Sequence, residues 1–92
     1  MTVLSPDAAQ TRLAQLPGWQ IESGELVRTF LFKDFRASLA FVNKVGDVAE
    51  NAGHHPDIDI RYNKVRLALV THDAGGITQK DFDLAAAADK FC

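Results

Sequence analysis

The stretch DIDIRYNKVRLALV, from Asp57 to Val70, has the residue pattern of a β-hairpin. Polar and apolar residues alternate through its first six positions, which is the spacing of a half-buried strand. Asn63-Lys64 supplies a tight turn, because asparagine tolerates a positive φ, and the alternation then resumes over 65–70. The side chains expected to face the core are Ile58, Ile60 and Tyr62 in the first strand and Val65, Leu67 and Leu69 in the return strand.

A long amphipathic helix is predicted immediately before this hairpin, from Phe35 to about Ala52. Asp34 is suited to cap its first turn, and Gly53 suits the position after its last turn, where a left-handed backbone costs glycine little. The apolar residues of the helix cover about half of its circumference, which is more than one sheet face requires. We therefore expect part of this helix to face another helix or another subunit.

Capping and turn residues define the elements of the amino-terminal third. Ser5-Pro6-Asp7 is typical of a helix start, and Pro17-Gly18 ends the short helix that we expect over 8–16. Two strands are predicted after it, a brief one over 19–21 and a longer one over 25–32.

The carboxyl-terminal element is an alanine-rich helix. Thr78-Gln79-Lys80-Asp81 resembles a capping box and begins a helix that reaches about Lys90. The resulting order, α-β-β-α-β-β-α, predicts an α+β fold with a four-stranded antiparallel sheet and three helices. We expect residues 1–92 to form a single domain.

Composition argues against several classes of protein. Ten Lys and Arg residues against 12 Asp and Glu residues give a net charge of -2, which disfavours binding to nucleic acid or to an anionic membrane. No apolar run approaches the roughly 20 residues that span a bilayer, and no secretory signal pattern is visible at the start. Cys92 is the single cysteine, so no internal disulfide forms. These features favour a cytoplasmic protein.

All three histidines lie in two short pieces, His54-His55-Pro56 and Thr71-His72-Asp73. The hairpin between the pieces would return His72 to the neighbourhood of the other two. Pro56 keeps His55 extended, so that His54 and His55 point to opposite sides of the chain. Because an unperturbed histidine has a pKa of about 6.5, three of them around one cleft indicate acid–base chemistry near neutral pH.

Further residues match one family pattern. They are Glu50, His54-His55-Pro56, the run 62–65, Thr71-His72-Asp73, Gly76 and the run 78–81, with 16–19, 28–32 and Phe35 in the first half of the chain. Together these residues resemble the signature of the pterin-4a-carbinolamine dehydratases. The resemblance extends over nearly the whole chain.

The resemblance implies a lyase that needs no cofactor and no metal. Such an enzyme removes water from a 4a-hydroxytetrahydropterin, the product of aromatic amino-acid hydroxylases, and gives the quinonoid dihydropterin in tetrahydropterin recycling. Position by position, His54 and His72 match the proton-transfer histidines. His55 and Pro56 match the part of the site that holds the pterin, with His55 also counted among the catalytic residues.

Two acidic residues and the assembly also follow from the resemblance. Glu50 and Asp81 match the acidic residues near the histidines, where they would contribute to substrate binding. The sheet would carry its three helices on one face, and subunits would pair through sheet edges or helices into a homodimer or homotetramer. An aromatic amino-acid hydroxylase is the functional partner that the family suggests.

Each of these assignments has an alternative. His54 and His55 could satisfy backbone carbonyls at a helix end, or three histidines could bind zinc, although adjacent histidines seldom reach one ion. Asp81 could serve only as a helix cap, and Glu50 could be only a solvated helix residue. Ile58 stands where the family often has an aromatic residue, which weakens one wall of a pterin site. The chain could also be a dimerisation or accessory module that keeps the fold without catalysis.

Overall fold

The computed structural model describes residues 2–92. Its elements, in chain order, are α1 (Pro6–Leu13), β1 (Gln20–Glu22), β2 (Glu25–Leu31), α2 (Phe35–Ala52), β3 (Asp57–Arg61), β4 (Lys64–Leu69) and α3 (Gln79–Asp89). The predicted α+β class and the order α-β-β-α-β-β-α are confirmed.

The four strands form one antiparallel sheet in the order β1-β2-β4-β3. Phe30 on β2 and Ile60 on β3 both pair with Val65 on β4, so these three side chains lie on the same face. On the opposite face, Thr29 and Asp59 both pair with Arg66. One face of the sheet is therefore apolar and the other is largely polar.

The three helices cover the apolar face. The buried core contains Leu26, Phe30, Val65, Leu67 and Leu69 from the sheet, together with Ala9, Phe41, Val45, Ala49, Phe82, Leu84, Ala85 and Ala88 from the helices. Phe41 anchors α2 to the sheet, since its ring centroid lies 4.6 Å from that of Phe30. Burial of a side chain of this size contributes about 1.5–3 kcal/mol. The predicted one-sided arrangement of the helices is confirmed.

The capping residues set the bounds of α2 as the sequence predicts. The Asp34 carboxylate accepts a hydrogen bond from the N–H of Ala37 at 2.9 Å, and Gly53 ends the helix with a left-handed φ of 64°. Not all of the apolar arc is covered, because Phe35 is 47% exposed and Leu39 is 39% exposed. These two residues are one helical turn apart and lie on the same side of α2.

The tip of the β3–β4 hairpin differs from the sequence expectation. Arg61 pairs with Lys64, so the turn residues are Tyr62 and Asn63. Tyr62, with a φ of 53° and 64% exposure, leaves the strand at this point, and its predicted place in the core is wrong. Asn63 instead secures the turn by donating its side-chain N–H to the carbonyl of Phe32 at 3.0 Å.

Smaller differences occur at other element ends. α1 ends at Leu13, β1 begins at Gln20, and β2 ends at Leu31. Ile58, expected in the core, is 37% exposed because β3 is an edge strand of the sheet. Within residues 2–92, no helix is both long and apolar enough to cross a membrane.

The last turn of α3 is attached to the sheet by polar contacts. The Asp89 carboxylate accepts hydrogen bonds from the indole N–H of Trp19 at 3.0 Å and from the guanidinium of Arg28 at 2.8 Å. The Arg28 guanidinium also lies 4.4 Å from the centre of the Phe30 ring. These contacts fix the last turn of α3 against Trp19 and against Arg28 of β2.

Candidate active site

A cleft of about 230 Å³ lies where the end of α2, the segment after β4 and the start of α3 meet. Its lining residues are Gly53, His54, His55, Val70, Thr71, His72, Asp73 and Lys80. All three histidines of the chain therefore line one cleft, although the two histidine pieces are separated by the β3–β4 hairpin.

The end of α2 turns His54 into the protein. The N–H of Gly53 donates to the carbonyl of Glu50 at 3.1 Å, and the N–H of His54 donates to that of Ala49 at 3.1 Å. The left-handed conformation of Gly53 costs other residues about 1–2 kcal/mol, so glycine is suited to this corner. The chain then leaves the helix with His54 buried and His55 exposed.

His54 contacts a buried carboxylate. Its Nε2 lies 2.5 Å from Oδ1 of Asp81, and the two residues are 9% and 0% exposed. The other carboxylate oxygen, Oδ2, accepts hydrogen bonds from the Thr71 hydroxyl and from the backbone N–H of Thr78, both at 2.9 Å. Asp81 thus caps α3 and contacts His54 at the same time. A helix cap and a place beside the histidines, the two alternatives for Asp81, are therefore compatible.

The surroundings of Asp81 define the hydrogen-bonding state of His54. An ionised carboxylate only accepts hydrogen bonds, so with Asp81 in that form Nε2 of His54 is the donor to Oδ1 and carries a proton. In the neutral ring, Nδ1 then holds the free lone pair. Every fully buried side-chain nitrogen and oxygen in residues 2–92 has a hydrogen-bond partner. Nδ1 of His54 makes no hydrogen bond to the protein. Nδ1 is therefore accessible to solvent.

His55 occupies the outer side of the cleft. Its Nε2 lies 2.7 Å from Oε1 of Glu50, and the two side chains are 64% and 79% exposed. Water and salt screen such an exposed pair, so the contact contributes little to folding. The contact places the Glu50 carboxylate beside the His55 ring at the outer edge of the cleft.

His72 lies on a short loop between β4 and α3. Thr71 and Gly76 close the loop, with the N–H of Thr71 donating to the carbonyl of Gly76 at 3.0 Å, and Gly75 takes a φ of 83° inside it. The His72 side chain is exposed, and no protein hydrogen bond within residues 2–92 is made by its ring. His72 can therefore exchange protons with bulk water.

The remaining residues assigned from the sequence lie at different distances from the cleft surface. Glu50 contacts His55 and Asp81 contacts His54, so both support histidines that line the cleft. Pro56 and Ile58 are not among the lining residues. In the described part of the chain, no group of three or more His, Cys, Asp or Glu residues is placed to hold a metal ion.

Two residues of the site belong to the family pattern, but the sequence itself assigns them no role. Lys80 lines the cleft and brings a cation beside the histidines. The Thr71 hydroxyl contacts Asp81. Neighbouring side chains of an extended chain point to opposite sides, so the sequence does indicate that Thr71 faces away from His72. No local pattern identifies its partner, which lies 10 residues away in the chain.

Comparison with known proteins identifies the family of the chain. A family model described as pterin 4 alpha carbinolamine dehydratase matches residues 2–91. The chain belongs to this family. A relative in Acidobacterium capsulatum, provisionally named a pterin-4-alpha-carbinolamine dehydratase, is 62% identical over 87 residues, and the match covers 95% of each chain. The family resemblance inferred from the sequence pattern is confirmed.

Solved structures show the same architecture as this pterin-4a-carbinolamine dehydratase family member. A Brucella melitensis protein described as a transcriptional coactivator/pterin dehydratase superposes with a TM-score of 0.95 at 30% identity, with 98% of each chain covered. A pterin dehydratase-like protein described as a RuBisCO assembly factor in the alpha-carboxysome gives a TM-score of 0.65 at 23% identity, covering 79% of this chain and 84% of that one. This second likeness shows a shared fold alone.

Proposed function

We propose that this pterin-4a-carbinolamine dehydratase family member removes water from a 4a-hydroxytetrahydropterin and gives the quinonoid dihydropterin. The observation that carries the proposal is the single cleft lined by His54, His55 and His72, with His54 bonded to the buried Asp81. Family membership supports the substrate class.

The reaction is redox-neutral and needs two proton transfers. The bond between C4a and its hydroxyl oxygen breaks, and the oxygen leaves as water after receiving a proton. The N–H bond at N5 also breaks, and its electron pair forms the second bond between N5 and C4a. One side chain must therefore donate a proton while another accepts one, and histidine suits both roles near neutral pH.

His54 and His72 are the acid–base residues in this proposal. The hydrogen bond from Nε2 of His54 to Asp81 leaves the Nδ1 lone pair without a protein partner, which supports a role as acceptor of the N5 proton. The exposed His72 can be reprotonated from water, which supports a role as donor to the departing hydroxyl. Each proton transfer contributes typically about 10²–10⁴-fold to such rates.

Of the other assigned residues, one holds the substrate in this scheme and three position the histidines. His55 holds the pterin at the outer side of the cleft, and Glu50 orients the His55 ring through their 2.7 Å contact. Pro56 fixes the backbone that presents His55. Asp81 acts through His54 because it is buried behind that ring and does not line the cleft.

Assembly into a homodimer or homotetramer is part of the same proposal. The exposed apolar residues Phe35 and Leu39 on α2 support it, and the edge strands β1 and β3 offer further pairing surfaces. A functional link to an aromatic amino-acid hydroxylase and a cytoplasmic location remain predictions from the sequence.

The direct test measures dehydration of synthetic 4a-hydroxytetrahydropterin by the purified protein in a stopped-flow spectrometer. We expect acceleration over buffer, with a rate that depends on pH across the range of about 5 to 9 because histidines transfer the protons. Asp47→Asn, on the exposed side of α2, is a control that should leave the rate unchanged.

An accessory role without catalysis is the second candidate function. The exposed apolar side of α2 favours it, and the shared fold of a protein described as a RuBisCO assembly factor supports it. The same assay separates the candidates, because a correctly folded protein that gives no acceleration over buffer would exclude the dehydratase and favour the accessory module.

A further inference from the structure

We propose that Thr71 is a positioning residue, which acts through Asp81 to keep His54 in the tautomer that leaves Nδ1 free. The inference deepens the proposed dehydratase function and rests on it. Thr71 touches neither of the assigned acid–base rings through a hydrogen bond, and its only carboxylate partner is Asp81 within residues 2–92.

A buried chain of short contacts joins the four residues concerned. The Thr78 and Thr71 hydroxyl oxygens are 2.7 Å apart, the Thr71 hydroxyl lies 2.9 Å from Oδ2 of Asp81, and Oδ1 of Asp81 lies 2.5 Å from Nε2 of His54. Thr71 is 7% exposed, and Thr78 and Asp81 are each 0% exposed. Hydrogen bonds are stronger in such surroundings than in water, because the local dielectric is low.

The donor of each contact in this chain can be assigned. The Thr71 hydroxyl donates its single proton to Asp81, so the contact between the threonines requires Thr78 to donate to Thr71. Nε2 of His54 donates to Asp81 from the other side. Donors therefore converge on both carboxylate oxygens, which fixes the rotation of the carboxylate about its last torsion.

Neither the fold of the loop nor the cap of α3 requires the Thr71 hydroxyl. The loop is already closed by the backbone bond from Thr71 to Gly76 at 3.0 Å. The helix cap is already made by the backbone N–H of Thr78, which donates to Oδ2 of Asp81 at 2.9 Å. What the hydroxyl adds is a second donor on Oδ2, and this leaves Oδ1 directed at His54.

The test compares Thr71→Val, which keeps the shape and removes the hydroxyl, with Thr71→Ser, which keeps the hydroxyl. Thr29→Val is the matched control, because Thr29 lies exposed on the polar face of the sheet. Loss of one hydrogen bond to a charged group should lower the kcat of pterin dehydration about 10-fold in Thr71→Val. KM should remain within about twofold, since Thr71 acts through Asp81 on His54 and not on the substrate. Thr71→Ser should restore kcat.

Nitrogen-15 NMR of the His54 ring gives a readout that does not depend on activity. In wild type the neutral ring should show a protonated Nε2 and an unprotonated Nδ1, and Thr71→Val should show a mixture of the two tautomers. Wild-type kcat or an unchanged ring spectrum in folded Thr71→Val would overturn the role of Thr71. If wild type gives the expected ring spectrum but no dehydration, the proposed function fails while the positioning role stands.

A variant that does not fold still leaves a decisive comparison. Should Thr71→Val be unstable, Thr71→Cys replaces the hydroxyl with a weakly donating thiol of similar size and serves as the partner of Thr71→Ser. We expect the cysteine variant to be slow and the serine variant to be near wild type. Equal kcat in the two variants would overturn the proposal.

Discussion

His54 and Asp81 meet at 2.5 Å in a place where the carboxylate has no exposed surface. The pair joins the loop after α2 to the first turn of α3, which are 27 residues apart in the chain. The same carboxylate accepts a hydrogen bond from the backbone N–H of Thr78, so the residue that caps the start of α3 also contacts the histidine. A change in Asp81 should therefore affect stability and turnover together.

Asp81→Asn tests this double role with almost no change in volume. The amide has one acceptor oxygen and one N–H₂ donor, so if the oxygen keeps the contacts from Thr71 and Thr78, the N–H₂ faces Nε2 of His54 and can only donate to it. We expect unfolding free energy to fall by about 1–3 kcal/mol, which is the cost of leaving a buried polar group unsatisfied. Dehydration should slow by about 10² because the amide favours the opposite tautomer of His54, in which Nδ1 carries the proton.

Urea denaturation and stopped-flow kinetics of Asp81→Asn measure the two effects separately. Asp83→Asn is the matched control, because Asp83 lies two residues further along α3 and is exposed. Wild-type turnover in Asp81→Asn would show that Asp81 is a helix cap and has no part in the site.

His72→Ala should change turnover without changing stability. The His72 side chain is exposed and lies on a loop that backbone hydrogen bonds close, so its removal leaves the core intact. We expect kcat for dehydration to fall by about 10² or more, the scale of a lost general acid or base. Thermal unfolding by circular dichroism should give a Tm close to that of wild type. Wild-type rates in this variant would remove His72 from the mechanism.

Glu50→Gln should act on substrate binding. Its contact with His55 is 2.7 Å long, but both side chains are largely exposed, so stability should stay the same within error. If Glu50 orients His55 to hold the pterin, KM rises several-fold while kcat changes little. Steady-state kinetics of dehydration at several substrate concentrations measures both values. An unaltered KM would assign Glu50 to the solvated surface of α2.

The elements of the fold were predictable wherever a local signal defines them. Asp34 and Gly53 bracket α2, and the alternation of Val65, Leu67 and Leu69 defines the buried face of β4. The turn of the hairpin was misplaced because either Tyr62-Asn63 or Asn63-Lys64 could form it, and the pairing of Arg61 with Lys64 selects the first. That selection depends on the register of the whole sheet, which local propensity does not contain.

The site was predictable only in part. The spacing of the two histidine pieces and the family pattern identified the three rings that line the cleft. The contacts behind them were not predictable, because the positions of Thr71, Thr78 and Asp81 relative to His54 depend on how α3 packs against the end of α2. Long-range packing of this kind leaves no periodic trace in the sequence.

Leu39→Lys tests the proposed self-association of the chain. Leu39 is 39% exposed and lies one helical turn from Phe35, which is 47% exposed, so the two form an uncovered apolar strip on α2. Placing an unpaired ammonium in a buried interface is costly, so we expect Leu39→Lys to lower the assembly mass measured by light scattering after size exclusion. Circular dichroism should show the same helix content as wild type. Asn51→Lys introduces the same charge at an exposed position of α2 that lies about 120° around the helix from Leu39, and it should leave the mass unchanged. A monomeric wild type would contradict the proposed self-association, and an assembly that Leu39→Lys leaves intact would place the interface elsewhere.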